Sequence, residues 1–148
     1  MAHVKTQIRD RLMIILLGLS MTGDRVYRSR VHPMAPGTMP GLCVYAGQER
    51  NTGRGTLRAT EKAVELTFDA YASGAEYDDE VESIHAEVEG ALFSDFSDGR
   101  YFSGLVTNLE YLRSESQYFG EAATKYGVLR MIYEATYKTI DGNAETAL

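Results

Sequence analysis

Histidine, cysteine, serine and paired carboxylates are the side chains that could do chemistry here, and their spacing decides whether they do. His3, His32 and His85 are too scattered to form an H-x-x-x-H pair. His85 has Glu82 and Glu89 at helical spacing, but nothing supplies a second imidazole, so the cluster reads as a solvated helix face rather than a zinc site. Cys43 is the only cysteine, which excludes an intrachain disulfide and a multi-cysteine metal site and points to a reducing compartment during synthesis. Serine is plentiful, yet G-x-S-x-G is absent, and serine hydrolase chemistry has no support. The carboxylates Glu76, Asp78, Asp79, Glu80 and Glu82 could serve acid–base work only with burial-shifted pKa values, and their outward positions make them solvated charge. Gly53-Arg54-Gly55 lacks the G-K-[ST] ending of a phosphate loop and has no helix after it. No constellation of nucleophile, base and orienting group emerges, and no cofactor is implied.

The charges that remain are better suited to binding than to catalysis. Arg50, Arg54, Arg58 and Lys62 make one polar excursion basic, and Arg25, Arg28 and Arg30 add a second basic segment, in a chain whose formal net charge is −6. Basic loops of one copy could meet acidic helix faces of another, or each charge could simply be solvated. Tyr101, Phe102, Tyr111, Tyr118, Phe119 and Tyr126 cluster late in the chain, where aromatics serve either an interface or the core.

These side chains need a scaffold, and 148 residues with 44% apolar and 24% charged content suffice for one core. The acidic balance argues against bulk DNA or RNA binding, which depends on cationic neutralisation of phosphates. The longest apolar run, Leu12 to Leu17, falls far short of the roughly 20 residues of a membrane span. Lys5, Arg9 and Arg11 precede it, but Asp10 interrupts the basic segment and no A-x-A cleavage pattern follows, so it is not read as an export signal.

Val4, Ile8, Leu12, Ile15 and Leu19 line one face of a helix expected over Ala2 to Leu19, with Gly18 and residues 20–23 ending it. A short strand is expected at Arg25 to Arg28. Pro33, Pro36 and Pro40 with Gly37 and Gly41 mark a loop, and Leu42 to Ala46 a short buried strand. Gln48 to Thr60 is then either a mobile excursion or an extended hairpin arm. From Ala63 to Ala72, Val64, Leu66, Phe68 and Ala70 alternate with Glu65, Thr67, Asp69 and Tyr71, predicting a strand with one wet side. Val81, Ile84, His85, Val88, Ala91 and Leu92 form the inner stripe of a second helix over Tyr77 to Phe93, whose acidic start suits the helix dipole. After an Asp98-Gly99 turn, Leu105 to Ser114 and Gly127 to Thr139 both alternate and predict an antiparallel pair joined by a loop.

These elements predict an α+β fold: a single, mostly antiparallel sheet of four or five strands with two amphipathic helices on one face. Residues 1–140 make a single α+β domain and 141–148 a polar C-terminal tail. The opposite face and the edges stay uncovered, and a bare edge offers unpaired backbone donors and acceptors to another chain.

The order of segments also carries a resemblance. An N-terminal helix is followed by Asp24-Arg25-Val26-Tyr27-Arg28-Ser29-Arg30-Val31-His32-Pro33, by Met39-Pro40-Gly41-Leu42-Cys43-Val44-Tyr45, by the alternating strand Val64 to Tyr71, by the acidic helix Asp78 to Leu92, and by Ile132-Tyr133-Glu134-Ala135-Thr136-Tyr137. Over about Val4 to Thr139 this resembles the tail terminator proteins of long-tailed bacteriophages, of the minor tail protein U type. The resemblance implies a non-enzymatic virion protein without cofactor or metal, made in the host cytoplasm and placed at the head-proximal end of the tail. Its copies would form a ring, usually of six, that caps the tail tube, stops its polymerisation and presents the head-joining surface. The implied partners are sister copies, the tail tube protein and a neck or head-completion protein, with the genome passing through the ring without sequence-specific binding, and no membrane. A head-completion or neck adaptor is the alternative. Within this reading Arg50, Arg54 and Arg58 are the residues for subunit or tube contacts, with Arg28 and Arg30 as further candidates.

Overall fold

The computed structural model describes residues 2–28, 39–74, 76–119 and 126–148. The chain forms α1 (Val4–Leu16), β1 (Val26–Tyr27), β2 (Gly41–Arg54), β3 (Ala59–Ser73), α2 (Tyr77–Ser94), β4 (Phe96–Ser97), β5 (Arg100–Tyr101), β6 (Asn108–Phe119) and β7 (Tyr126–Ile140). Five strands make one sheet in the order β1-β2-β3-β7-β6, and β4 and β5 make a separate two-stranded ribbon. Every pairing is antiparallel except β1 with β2. The α+β expectation of one mostly antiparallel sheet and two helices holds, with the small ribbon as an unpredicted addition. Asp98 (φ 53°) and Gly99 (φ 77°) create that ribbon, because two successive left-handed residues form the turn whose twist matches a hairpin.

Both helices cover the same sheet face: α1 packs on β2, and α2 on β3 and β7. The even-numbered Leu42, Val44, Val64, Leu66, Phe68 and Ala70 join the odd-numbered Leu129, Met131, Tyr133, Ala135 and Tyr137 in one core with Val4, Ile8, Leu12, Leu16, Val81, Ile84, Val88 and Leu92. The helix stripe therefore runs through Leu16 rather than Leu19. α1 stops at Leu16 because Leu17 is already extended and Gly18 (φ 88°) turns the chain into a short loop closed by Gly18 N–H to Gly23 O. Residues 18 to 28 are thus turn, loop and a two-residue strand, shorter than the expected Arg25–Arg28.

β2 runs on through Arg54, so the segment Gln48 to Thr60 is a hairpin arm, the second of the two readings above. β3 and β7 pair over their full lengths, Ala59 with Ile140 through Ser73 with Tyr126, and this unbroken ladder carries the arm outward beyond the first residue of β6. Leu105 belongs to a tight turn, not to β6. Phe102 (φ 56°), Ser103 (φ 57°) and Gly104 (φ 85°) are left-handed there, and complete burial of the Phe102 ring offsets that backbone cost.

The second face of the sheet departs from expectation. Thr67, Asp69 and Tyr71, the side chains that alternation assigns to the wet side of β3, are buried, as are Cys43 and Ile132 beside them. Asp69 is fully buried because Arg130, its register partner on β7, lies across it with two hydrogen bonds of 2.9 and 3.1 Å, and the Tyr45 hydroxyl donates to it at 2.8 Å. That hydrogen bonding raises the Arg130 pKa further and keeps its guanidinium charged. Residues 141–148 return along the molecule: Val4 N–H donates to Ala144 O, Leu148 N–H to Lys138 O, and Ala147 packs against the core.

Candidate assembly surface

The arm ends in a four-residue connection, 55–58, in which Gly55 N–H donates to Ala59 O and Ala59 N–H to Thr56 O. Leu57 (φ 57°) and Arg58 (φ 65°) are left-handed without being glycine, a strained conformation that surrounding structure must impose. Asp141, just past β7, imposes it: its N–H donates to Arg58 O, and its carboxylate accepts from the Thr60 hydroxyl and from Arg54 Nη2 at 2.6 Å. The Thr60 hydrogen bond, followed by Arg54, holds the Asp141 carboxyl below the usual carboxylate range. The result is a braced tip presenting Leu57, 90% exposed, between Arg54 and Arg58.

The structure therefore brings together Arg54 and Arg58 of the five predicted arginines. Arg50 lies lower on the arm, paired with Glu134 at 2.9 Å, and Arg28 lies apart, paired with Asp10 of α1 at 2.7 Å. Arg30 lies outside the described residues. Arg50 and Arg54 keep more than half of their side-chain surface open despite their partners.

At the far edge of the sheet, β6 pairs among the described residues only with β7, and Glu110 to Tyr118 are exposed. A β-bulge at Leu112 moves the strand by one residue, so Tyr111 faces the helix side before it, and Ser114, Ser116 and Tyr118 after it. Tyr111 (41% exposed) meets the His85 ring at 5.7 Å, and Tyr118 (47%) meets Tyr77 at 5.2 Å. Both contacts come from α2, whose residues Asp78, Glu82 and Glu89 share the stripe of His85 and so flank β6 with negative charge. His85 Nε2 lies 3.2 Å from the Tyr133 hydroxyl, a side chain held in its protonated form mainly by burial. The late aromatics divide: Phe102 is core, whereas Tyr111 and Tyr118 stay at the surface.

Sequence reasoning missed Leu57 and the Asp69–Arg130 pair. A lone leucine in an otherwise polar stretch was the available signal for the first; the second needs strand register, which no local pattern contains. A shallow groove of about 370 Å3 lies between Gly18–Ser20 and the Ala86, Gly90 and Ser94 face of α2. Glu87, the one ionisable side chain among the described residues lining it, accepts a hydrogen bond from Met21 N–H at 3.2 Å. Among the described residues no three of His, Cys, Asp and Glu converge where they could hold a metal ion, and no helix is long and apolar enough to cross a membrane.

No protein-family model and no curated protein matches the chain. Its fold is similar to that of a chain in the solved structure of the virion of a native gene transfer agent particle, with a TM-score of 0.53 and 19% sequence identity over 93% of this chain and 92% of that one. At that identity the likeness is one of fold, and it extends over nearly the full length of both chains.

Proposed function

We propose that this chain is a structural virion protein, a tail terminator whose copies close a ring on the end of the tail tube. The observation that carries this reading is the near full-length fold likeness to a chain of a gene transfer agent virion. The segment order described above agrees with it. The protein works by binding alone: its ring, six copies in this reading, occupies the subunit-accepting end of the tube, halts polymerisation and leaves its other surface to a neck or head-completion protein. The genome passes through without being read. A closed ring needs head-to-tail contacts between unlike surfaces of identical copies, and an open sheet edge and a braced basic arm are such surfaces. Arg50, Arg54 and Arg58 on the arm are the residues for subunit or tube contact, and Arg28 and Arg30 are secondary.

Negative-stain images of the purified protein mixed with growing tail tubes test this directly. Closed rings at tube ends, with tube growth arrested, are the expected result. Attachment to portal complexes instead of tube ends transfers the protein to the neck-adaptor role, and monomers that leave tube growth unchanged remove it from assembly altogether.

A further inference from the structure

We infer that the subunit contact is made by strand addition: the basic β2–β3 arm of one copy docks along the β6 edge of the next. This rests on the assembly reading above and specifies which surfaces meet. Three observations point to it. β6 is a 12-residue strand with no strand beside its outer side among the described residues, about 40 Å of edge backbone. Its bulge at Leu112 interrupts the edge without closing it. The arm is the matching element, because β1 pairs only with Leu42 and Cys43, so the outer side of β2 from Glu49 to Arg54 has no strand beside it among the described residues.

Charge selects the arm rather than a second β6 as occupant. The β6 rim carries Asp78, Glu82 and Glu89 from α2, so two such rims brought together would repel. The arm carries Arg50, Arg54 and Arg58, and their open surface remains after their internal pairing. Apolar matching follows the same direction: Leu57 projects from the arm tip, and Tyr111, Leu112 and Tyr118 line the receiving edge. The two elements lie at opposite sides of the sheet, so one molecule cannot satisfy itself, and each copy both donates an arm and accepts one. Backbone hydrogen bonds would supply affinity, and the charged rim direction and register.

Two sets of variants of the full chain, each with one introduced cysteine, test the pairing, since the native Cys43 is buried. One set carries Ser114→Cys or Ser116→Cys on β6, the other Asn51→Cys or Thr52→Cys on the arm. On mild oxidation, mixtures of the two sets should give heterodimers as the main product, with each variant alone giving little. Dimers formed by a β6 variant alone, or assembled rings that cross-link in no combination, overturn the proposal while leaving the terminator reading intact. Cross-linked chains that never engage tube ends have the opposite meaning. A charge swap supplies the second arm of the test: Arg54→Glu with Arg58→Glu should weaken association about tenfold, and adding Glu82→Lys with Glu89→Lys should restore it. Failure of that rescue, with all variants folded, also overturns the pairing.

Discussion

Asp69 is the residue on which the second sheet face depends. Its carboxylate is fully buried, and Arg130 supplies its charge partner. Replacing Arg130 with Met leaves that carboxylate with the Tyr45 hydroxyl but no cation, and should cost about 3 kcal/mol in urea unfolding. The double variant Asp69→Leu, Arg130→Met should recover much of that loss, since an apolar pair carries no desolvation penalty. Tyr137 is a second such residue: its hydroxyl donates to Glu49 at 2.6 Å, and burial, reinforced by Glu49, raises its pKa. The unfolded tyrosine ionises near pH 10, so its contribution is fully present below that pH and is lost as pH rises toward the higher folded value. Tyr137→Phe should lower stability by about 1 kcal/mol at neutral pH and flatten the alkaline limb of the stability curve. Asp141 has the reverse sign. Its pKa is depressed, chiefly by Thr60, so its contribution holds above about pH 4 and fades as pH falls through the folded value. Asp141→Asn should flatten the acid limb, and amide exchange in the arm tip should quicken, because the carboxylate's hold on Thr60 and Arg54 weakens while only the backbone bond to Arg58 O stays intact.

At the scale of elements, close approaches decide how helices meet strands. Gly127 on β7 lies directly beneath Tyr77 at the start of α2: a Cβ built there falls 1.9 Å from the tyrosine ring. Gly127→Ala must push the ring off the sheet and away from Tyr118, costing about 2 kcal/mol and lowering the melting temperature. The two helices are joined at their far end by Arg11 of α1, whose guanidinium binds the Asp95 carboxylate through two hydrogen bonds of 2.9 and 2.8 Å just past α2. Both partners are part-buried, and Arg11→Ala should destabilise by about 1 kcal/mol, read by denaturant titration. The helices and long strands were legible in the sequence because each carries its own period: three- and four-residue spacing in α1 and α2, two-residue alternation in β3 and β7. The segment after Gln48 was ambiguous because the arm is exposed along most of its β2 strand. With no buried face, an extended arm has no alternation to read.

For the whole molecule, the distribution of charge matters more than its total. A net charge of −6 conceals a basic arm and an acidic rim on opposite sides of the sheet. If those surfaces meet, self-association should weaken as salt rises from about 0.05 M to about 0.5 M, because the paired charges stay at the solvated rim of the contact. Sedimentation across that range measures it, and a salt-independent assembly would assign the contact to apolar surface alone. Composition, helix stripes and strand alternation were sufficient by themselves to determine the α+β class and most of the helix-covered face of the core, since these depend on which side chains leave water. Local pattern could not decide that β6 ends the sheet, that Arg54 and Arg58 converge on Asp141, or that Asp69 is buried under Arg130. Those features depend on strand order and register, which arise only when segments far apart in the chain pair in space.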